Sequence, residues 1–465
     1  MQSLYRFRPT EKLLGCKYKE LERQEIYFAS PDELNDPVEG FKDMFWRGDE
    51  IVWKNLINHY LLCLESVCQI FLINGENFLI APANIPVLKT ANDLPTPAYQ
   101  GLYQEICDLF FGNQLAARWP QLLASRTGPV RQNELYAYLW SMHMHALNTI
   151  FTVYENHDLV PRRSDDDPLR RFETRDVIGE GVKFANRKEA ERPEVEDGIE
   201  RLHAATRHLS SQADLIAVYN ALTQTTAQKN RRMLYGRFPE EYLKSLERLV
   251  HPPWYTATFT SNYNNPSIWG HYGDGHKGVC LIFRATPENG EPHLKLQGID
   301  YRFCKINYAK RYPEIDFFRS LGVLPIPALN RCWYLDEHKN RSSCADNVYD
   351  DVDAWRKSYW DTFHEGITTK LCPWAYEEEY RLVHTPWEIV SDKSRRKLRY
   401  QFSDLEGIVF GIRTPEDVRS DIIHVIEEKC RSENRTDFKF YQAFYSRKDA
   451  QIDRAEMSLK FNQGR

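Results

Sequence analysis

Ten cysteines are present, yet none form a C-x-x-C pair, and Cys63 and Cys68 lack the spacing of a zinc ribbon. This disfavours a structural zinc site and a disulfide scaffold, leaving reduced thiols and a cytoplasmic setting as the expectation. The opening MQSLYRFRPTEKLL has no apolar stretch of the secretory kind. The longest apolar run, YLLCLESVCQIFLI, is broken by Glu65, Ser66 and Gln69. At that length it reads as a buried helix too short for a bilayer, so no membrane partner is expected. The chain lacks a G-x-G-x-x-G joining a strand to a helix, which argues against a Rossmann-type dinucleotide site. It also lacks a fixed-period repeat and a strong charge of one sign. A net charge of −5 over 465 residues leaves nucleic-acid binding to local patches.

What is present describes a globular protein. Apolar residues make up 42% and aromatics 13%, enough for extensive packed surfaces. The length exceeds what one compact core usually holds, so two or three structural units are expected. Strand signals open the chain in LYRFR and EIYFAS, followed by the turn-rich PDELNDPVEG. Residues 41–251 then change to helical spacing, as in RQNELYAYLWSMHMHALNTIFTVYENH. Between residues 187 and 231 a charged segment keeps an apolar stripe of Ile199, Leu202, Leu209, Leu215, Val218 and Leu222. Strand signals return in YTATFTSN, GVCLIF, YEEEYRLVH, DLEGIVFGI and FKFYQAFYS. TPEDVRSDIIHVIEEKC reads as a helix with Thr414 as cap. The expectation is an α+β fold: a small mixed or antiparallel sheet core of residues 1–40 and 252–465, split by a helical insertion over 41–251.

Four stretches of the core have residue types suited to chemistry. Arg6 and Arg8, two apart on a strand, share a face and suit a phosphate or carboxylate, or else pair with the acids of residues 32–39. In NDPVEG, Asp36 and Glu39 suit a turn better than a metal site. TFTSNYNNPSIWGHYGDGHKGVCLIF sets Ser261 at a strand end and His271 and Tyr272 in a short helix, ahead of a turn with Gly273, Gly275 and Gly278. The glycines suit a tight turn or a close ligand approach. In WAYEEEYRL, a strand over 376–382 puts Glu377, Glu379 and Arg381 on one face, and Glu378 with Tyr376 and Tyr380 on the other. That acidic face is either an edge guarded against aggregation or the wall of a cleft in which two carboxylates keep different pKa values.

Taken in order, LYRFR, IYFASPDELNDPVEG, WGHYGDGHKGVCLIF and WAYEEEYRLV resemble the motif blocks of a bacterial family of domains of unknown function. The resemblance covers the split core, and the residue 41–250 insertion has no counterpart in it. A more distant resemblance is to ADP-ribosyltransferases of the arginine–serine–glutamate class. Arg6 (or Arg8), Ser261 and Glu377-x-Glu379 follow in that chain order, although TFTSN is not a clean S-T-S. The resemblance implies an ADP-ribosyltransferase-like core that uses NAD as substrate, with no metal. Glu379 would stabilise the ribosyl cation and Glu377 would position or deprotonate an acceptor, itself a protein or nucleic acid. Arg6 and Arg8 would hold phosphate, Ser261 would shape the nicotinamide pocket, and Tyr272 with His271 would line the ligand. By fold-level analogy, toxins and antiviral effectors share this organisation. A non-catalytic nucleotide or nucleic-acid sensor is the alternative, with QKNRRMLYGR and DKSRRKLR as basic clusters. A metal-dependent nuclease using Asp36, Glu39, Asp274, Glu377 and Glu379 ranks last, because no D-x-n-(D/E)-x-K pattern surrounds these acids.

Overall fold

The computed structural model describes residues 2–461, apart from 76, 192–195, 221–224, 289, 387 and 460. The chain divides into two compact units. The first comprises Met1–Phe41, Pro252–Pro313 and His364–Arg465, and the second Lys42–His251 and Glu314–Phe363. Residues 314–363, kept in the core by the sequence reading, thus belong with the second unit. Their aromatic residues explain the difference, because Phe317, Phe318, Trp333 and Tyr334 bury among the helices of that unit.

The first unit mixes helix and strand and is built on a sheet of ten strands, larger than the small sheet expected. From one edge its main order is Gln451–Glu456, Lys439–Ser446, Leu405–Phe410, Val279–Glu288, Gln2–Arg8, Tyr255–Thr260, Glu379–His384 and Cys304–Lys305. Only Leu405–Phe410 and Lys439–Ser446 run parallel in this series. Alternation along Gln2–Arg8 sends Leu4 to one apolar cluster and Tyr5 and Phe7 to another. The helix Glu416–Ser432 contributes Ile422, Ile426 and Cys430 to the Leu4 cluster. On the other cluster lies the short helix Pro266–Tyr272, whose Trp269 meets Phe7 edge-on at 4.8 Å between ring centroids.

The register within this sheet shapes the site. Gln2–Arg8 pairs residue for residue with 279–285, yet meets Tyr255–Thr260 only at Tyr5 opposite Thr260. The carbonyl of Thr258 is taken up by a side chain, accepting from Arg6 Nη1 at 3.0 Å.

Two local readings change, and a third is decided between its alternatives. The strand expected over 376–382 begins only at Glu379; Cys372–Glu377 is a 3-10 helix, and Glu378 between them is left-handed with φ 44°. Thr414 does not cap its helix, since its hydroxyl donates to the Gly278 carbonyl at 2.9 Å and Pro415 occupies the cap position. Gly278 serves the turn: an added Cβ would lie 2.6 Å from the Arg8 carbonyl oxygen, too close for any other residue.

In the second unit, the apolar run is part of a helix, Glu50–Asn74, that is long and apolar enough by length and composition to cross a membrane. The run alone is too short to span a bilayer, but its helix extends to 25 residues, and 67% of that apolar window is buried inside the protein. Its polar residues find partners within the unit. His59 bonds to Tyr242 at 2.8 Å and to the Val87 carbonyl at 2.9 Å, and Glu65 accepts from the Tyr154 hydroxyl at 3.1 Å. The stripe expected on Glu196–Asn220 is buried only at Ile199. Leu202, Leu209 and Leu215 are exposed, and Leu222 lies outside the described residues.

Candidate functional site

Residues from all three segments of the first unit line a cavity of about 550 Å³, within the usual size range of small-molecule sites. Its walls include Arg6, Arg8, Thr258, Thr260, Tyr272, Glu377 and Glu379. Arg6 is buried and bonds two backbone carbonyls, Thr258 at 3.0 Å and Tyr27 at 3.2 Å. No carboxylate among the described residues forms an ion pair with it. Burial, reinforced by the neighbouring Arg8 charge, pulls its pKa down to about 9. Arg8 pairs instead with Glu20, Nε to Oε2 at 2.8 Å. The two arginines therefore do different work. Arg8 is neutralised, whereas Arg6 is a buried cation beside a cavity.

Opposite in charge is a five-membered cluster of Glu39, Glu377, Glu379, Lys370 and Arg381, all buried. Lys370 Nζ lies 2.7 Å from Glu377 Oε2, 3.1 Å from Glu379 Oε2 and 3.7 Å from Glu39 Oε2. Arg381 Nε donates to Glu379 Oε1 at 2.7 Å, and its Nη1 to the Ile367 carbonyl at 2.8 Å. Arg381 Nη2 sits 2.9 Å from Glu39 Oε1, an ion-pair distance off the hydrogen-bond axis, so that oxygen has no hydrogen-bond donor. Tyr272 donates to Glu377 Oε1 at 2.5 Å, and the Glu379 amide donates to the Tyr308 oxygen at 2.9 Å.

Charges decide the ionisation here. Burial alone would push Glu379 up, but Arg381 and Lys370 outweigh it and hold the carboxyl below its ordinary value. For Glu39 the balance goes the other way. Burial dominates over Arg381, the Glu379 charge adds to it, and the carboxyl is raised. Burial and the Glu377 charge push the Tyr272 phenol upward, keeping it a neutral donor. Tyr308 is pushed up to about 12, again chiefly by burial. Fully ionised, three carboxylates against two cations leave one negative charge in a buried cluster, and burial moves Glu39 toward its protonated form.

The sequence-chosen residues divide. Arg6, Arg8, Tyr272, Glu377 and Glu379 line one cavity. Ser261 does not: it sits past the strand end, and its hydroxyl donates to Glu378 Oε2 at 2.9 Å on the exposed side. Thr260 takes the inner position, its hydroxyl donating to the Glu377 carbonyl at 2.6 Å. Alternation along YTATFT carries the signal, because Thr256, Thr258 and Thr260 share a face that Ser261 cannot share. His271 is also outside the lining, with Nδ1 3.1 Å from the Tyr376 hydroxyl.

Glu377 and Glu379 do converge, although not by strand alternation. One closes a 3-10 helix, the other opens a strand, and Lys370 joins them. Lys370 and Tyr308 are not singled out by the sequence reading, in which Thr258 and Thr260 enter only beside Ser261 in TFTSN. Nothing in TTKLCPWAYEEEY marks Lys370, since its role depends on how the intervening helix turns the chain. Among the described residues no group of three or more His, Cys, Asp and Glu is placed to hold a metal. Of the acids in the nuclease reading, Glu39, Glu377 and Glu379 converge on Lys370, whereas Asp36 and Asp274 belong to turns. Asp36 closes a turn by accepting from the Val38 amide at 3.1 Å, and Asp274 lies in the left-handed part of the glycine turn with φ 49°. Comparison with protein-family models, curated proteins and solved structures finds no match to this chain.

Proposed function

We propose that the first unit cleaves the nicotinamide–ribose bond of NAD or a closely related nucleotide, transferring the ADP-ribosyl group to an acceptor or to water. The observation that carries this reading is the joint lining of one cavity by the buried cation Arg6, the neutral donor Tyr272 and the ionised Glu379 with Glu377. In this reaction the bond from ribose C1′ to the pyridinium nitrogen breaks and its electron pair leaves with neutral nicotinamide. Positive charge then develops on the ribose. A carboxylate kept ionised in a water-poor site stabilises that charge without reorganising, which is the role of Glu379. The acceptor hydroxyl, or water, forms the new bond to C1′ and gives its proton to Glu377 once Tyr272 yields Oε1. Arg6 attracts the diphosphate.

One observation favours a second reading. The oxygens of Glu377 and Glu379 already have partners in Lys370, Arg381 and Tyr272, an arrangement that also suits nucleotide binding without turnover. Nicotinamide release separates the two. Release that falls by about a hundredfold or more in Glu379→Gln supports catalysis. Binding of NAD with no release by the wild type supports the sensor. Neither binding nor release rejects both.

A further inference from the structure

The second unit has its own cavity, of about 680 Å³, which the NAD reading does not use. Among its lining residues, Trp140, Phe172 and Tyr235 are each 37–41% exposed, unusual for large rings gathered at one concavity. Trp140 stacks on Tyr136 at 6.3 Å and on His143 at 6.5 Å between ring centroids. Phe172 and Tyr235 pair with no other ring among the described residues, and each keeps part of its surface exposed at the cavity.

The ring beneath Trp140 is held on both of its nitrogens. His143 is buried and lies parallel to Phe238 at 5.9 Å, with 9° between the rings. Its Nε2 donates to the Leu234 carbonyl at 2.6 Å, and its Nδ1 accepts from the Tyr60 hydroxyl at 2.7 Å. Burial drives the imidazole pKa down to about 4, so the ring is neutral and this tautomer is fixed. Leu234 and Tyr235 lie in a π-helical turn, Met233–Arg237. Such turns break the regular i→i−4 ladder and recur at functional sites. Here the turn turns one carbonyl to His143 and sets the Tyr235 ring in the cavity wall. Two arginines complete the wall. Arg171 is paired with Asp166, whereas Arg175 has no carboxylate partner among the described residues.

We propose that this cavity is a nucleotide site in which a heteroaromatic base packs against the exposed parts of Trp140, Phe172 and Tyr235 and a phosphate meets Arg175. Aromatic platforms with an adjacent arginine bind bases by stacking and phosphates by charge, with little demand on base identity. Glu173 on the same wall repels a polyanion and favours a monophosphate over a triphosphate. The same chemistry is offered by a free nucleotide and by the end of a single strand.

Calorimetric titration of the full chain with AMP, adenosine, orthophosphate and a short oligoadenylate tests this. AMP should bind, and Trp140→Ala and Phe172→Ala should each weaken it by about tenfold. Arg175→Ala should weaken AMP but not adenosine. Tighter binding of the oligoadenylate, lost in the same variants, assigns the source to a strand; equal or weaker binding assigns it to a free nucleotide. The proposal is overturned when AMP does not bind, or when it binds equally to wild type, Trp140→Ala and Phe172→Ala. Variants that keep the wild-type circular dichroism exclude misfolding as the cause. Nicotinamide release should be unchanged in all three variants, so this site stands or falls separately from the cavity of the first unit.

Discussion

Arg381 shows how one residue governs the cavity of the first unit. It has no solvent exposure, and its guanidinium holds Glu379, Glu39 and the Ile367 carbonyl. Replacing it with methionine leaves the carboxylates buried with only Lys370 to balance them. The expected cost is about 3–5 kcal/mol in urea unfolding.

Glu379 gives a pH signature at the same scale. Its folded pKa lies below the ordinary 4.5, so the unfolded chain binds its proton more readily than the folded one. The stability that it contributes is present above that ordinary value and is lost as the pH falls through the lower folded value. The stability gap between wild type and Glu379→Gln should therefore be full near neutral pH and shrink as the medium is acidified below about 4.5. A gap that widens in acid would contradict the ionised state assigned to Glu379.

Neighbours at a strand end differ as sharply. Ser261→Ala should leave nicotinamide release within about twofold of wild type, because its hydroxyl faces Glu378 on the surface. Thr260→Val should cost about 1–3 kcal/mol of stability, since it strips the buried bond to the Glu377 carbonyl. Equal effects would remove the distinction between the two.

At the scale of elements, the helix Glu50–Asn74 carries Glu65 into the interior with Oε2 lacking a hydrogen-bond partner. Burial raises this carboxyl to about 7, against which Tyr154 and Gln69 act only partly. The sign is opposite to that of Glu379. The folded state holds the proton, and stability is lost as the pH rises through about 7. Glu65→Gln should thus be more stable than wild type above that pH and lose its advantage in acid, as urea midpoints across the range would record. Much at this scale was legible in the sequence. The strands YTATFT and GVCLIF, and helix spacing in the second unit, follow from periodicities of two and 3.6. The three glutamates of WAYEEEYRL were not, because Glu378 takes a left-handed conformation stabilised by Ser261 and Asn262 across the gap. Strand alternation cannot anticipate a turn whose stabilising bonds come from residues more than a hundred positions away.

At the scale of the molecule, the N-terminal strand Gln2–Arg8 is not an edge. It is flanked by Val279–Glu288 and Tyr255–Thr260 in the sheet of the first unit and supplies Arg6 to the cavity. Deleting residues 1–9 should abolish nucleotide binding and nicotinamide release and reduce the strand signal in circular dichroism, since a central strand has no substitute in its sheet. Retained activity would mean that Arg6 is dispensable.

By itself the sequence determined the kinds of element and where each kind prevails, because those depend on local spacing of apolar residues. It also placed Arg6, Tyr272, Glu377 and Glu379 among the residues to watch, because charges and hydroxyls next to strand patterns must face either solvent or a cleft. Tertiary structure decided the rest: that residues 314–363 join the second unit, that Thr260 rather than Ser261 faces inward, and that Lys370 and Arg381 clamp the glutamates. These are outcomes of packing and charge pairing between distant segments. Such pairing depends on which groups are buried together, a property no single stretch of chain contains.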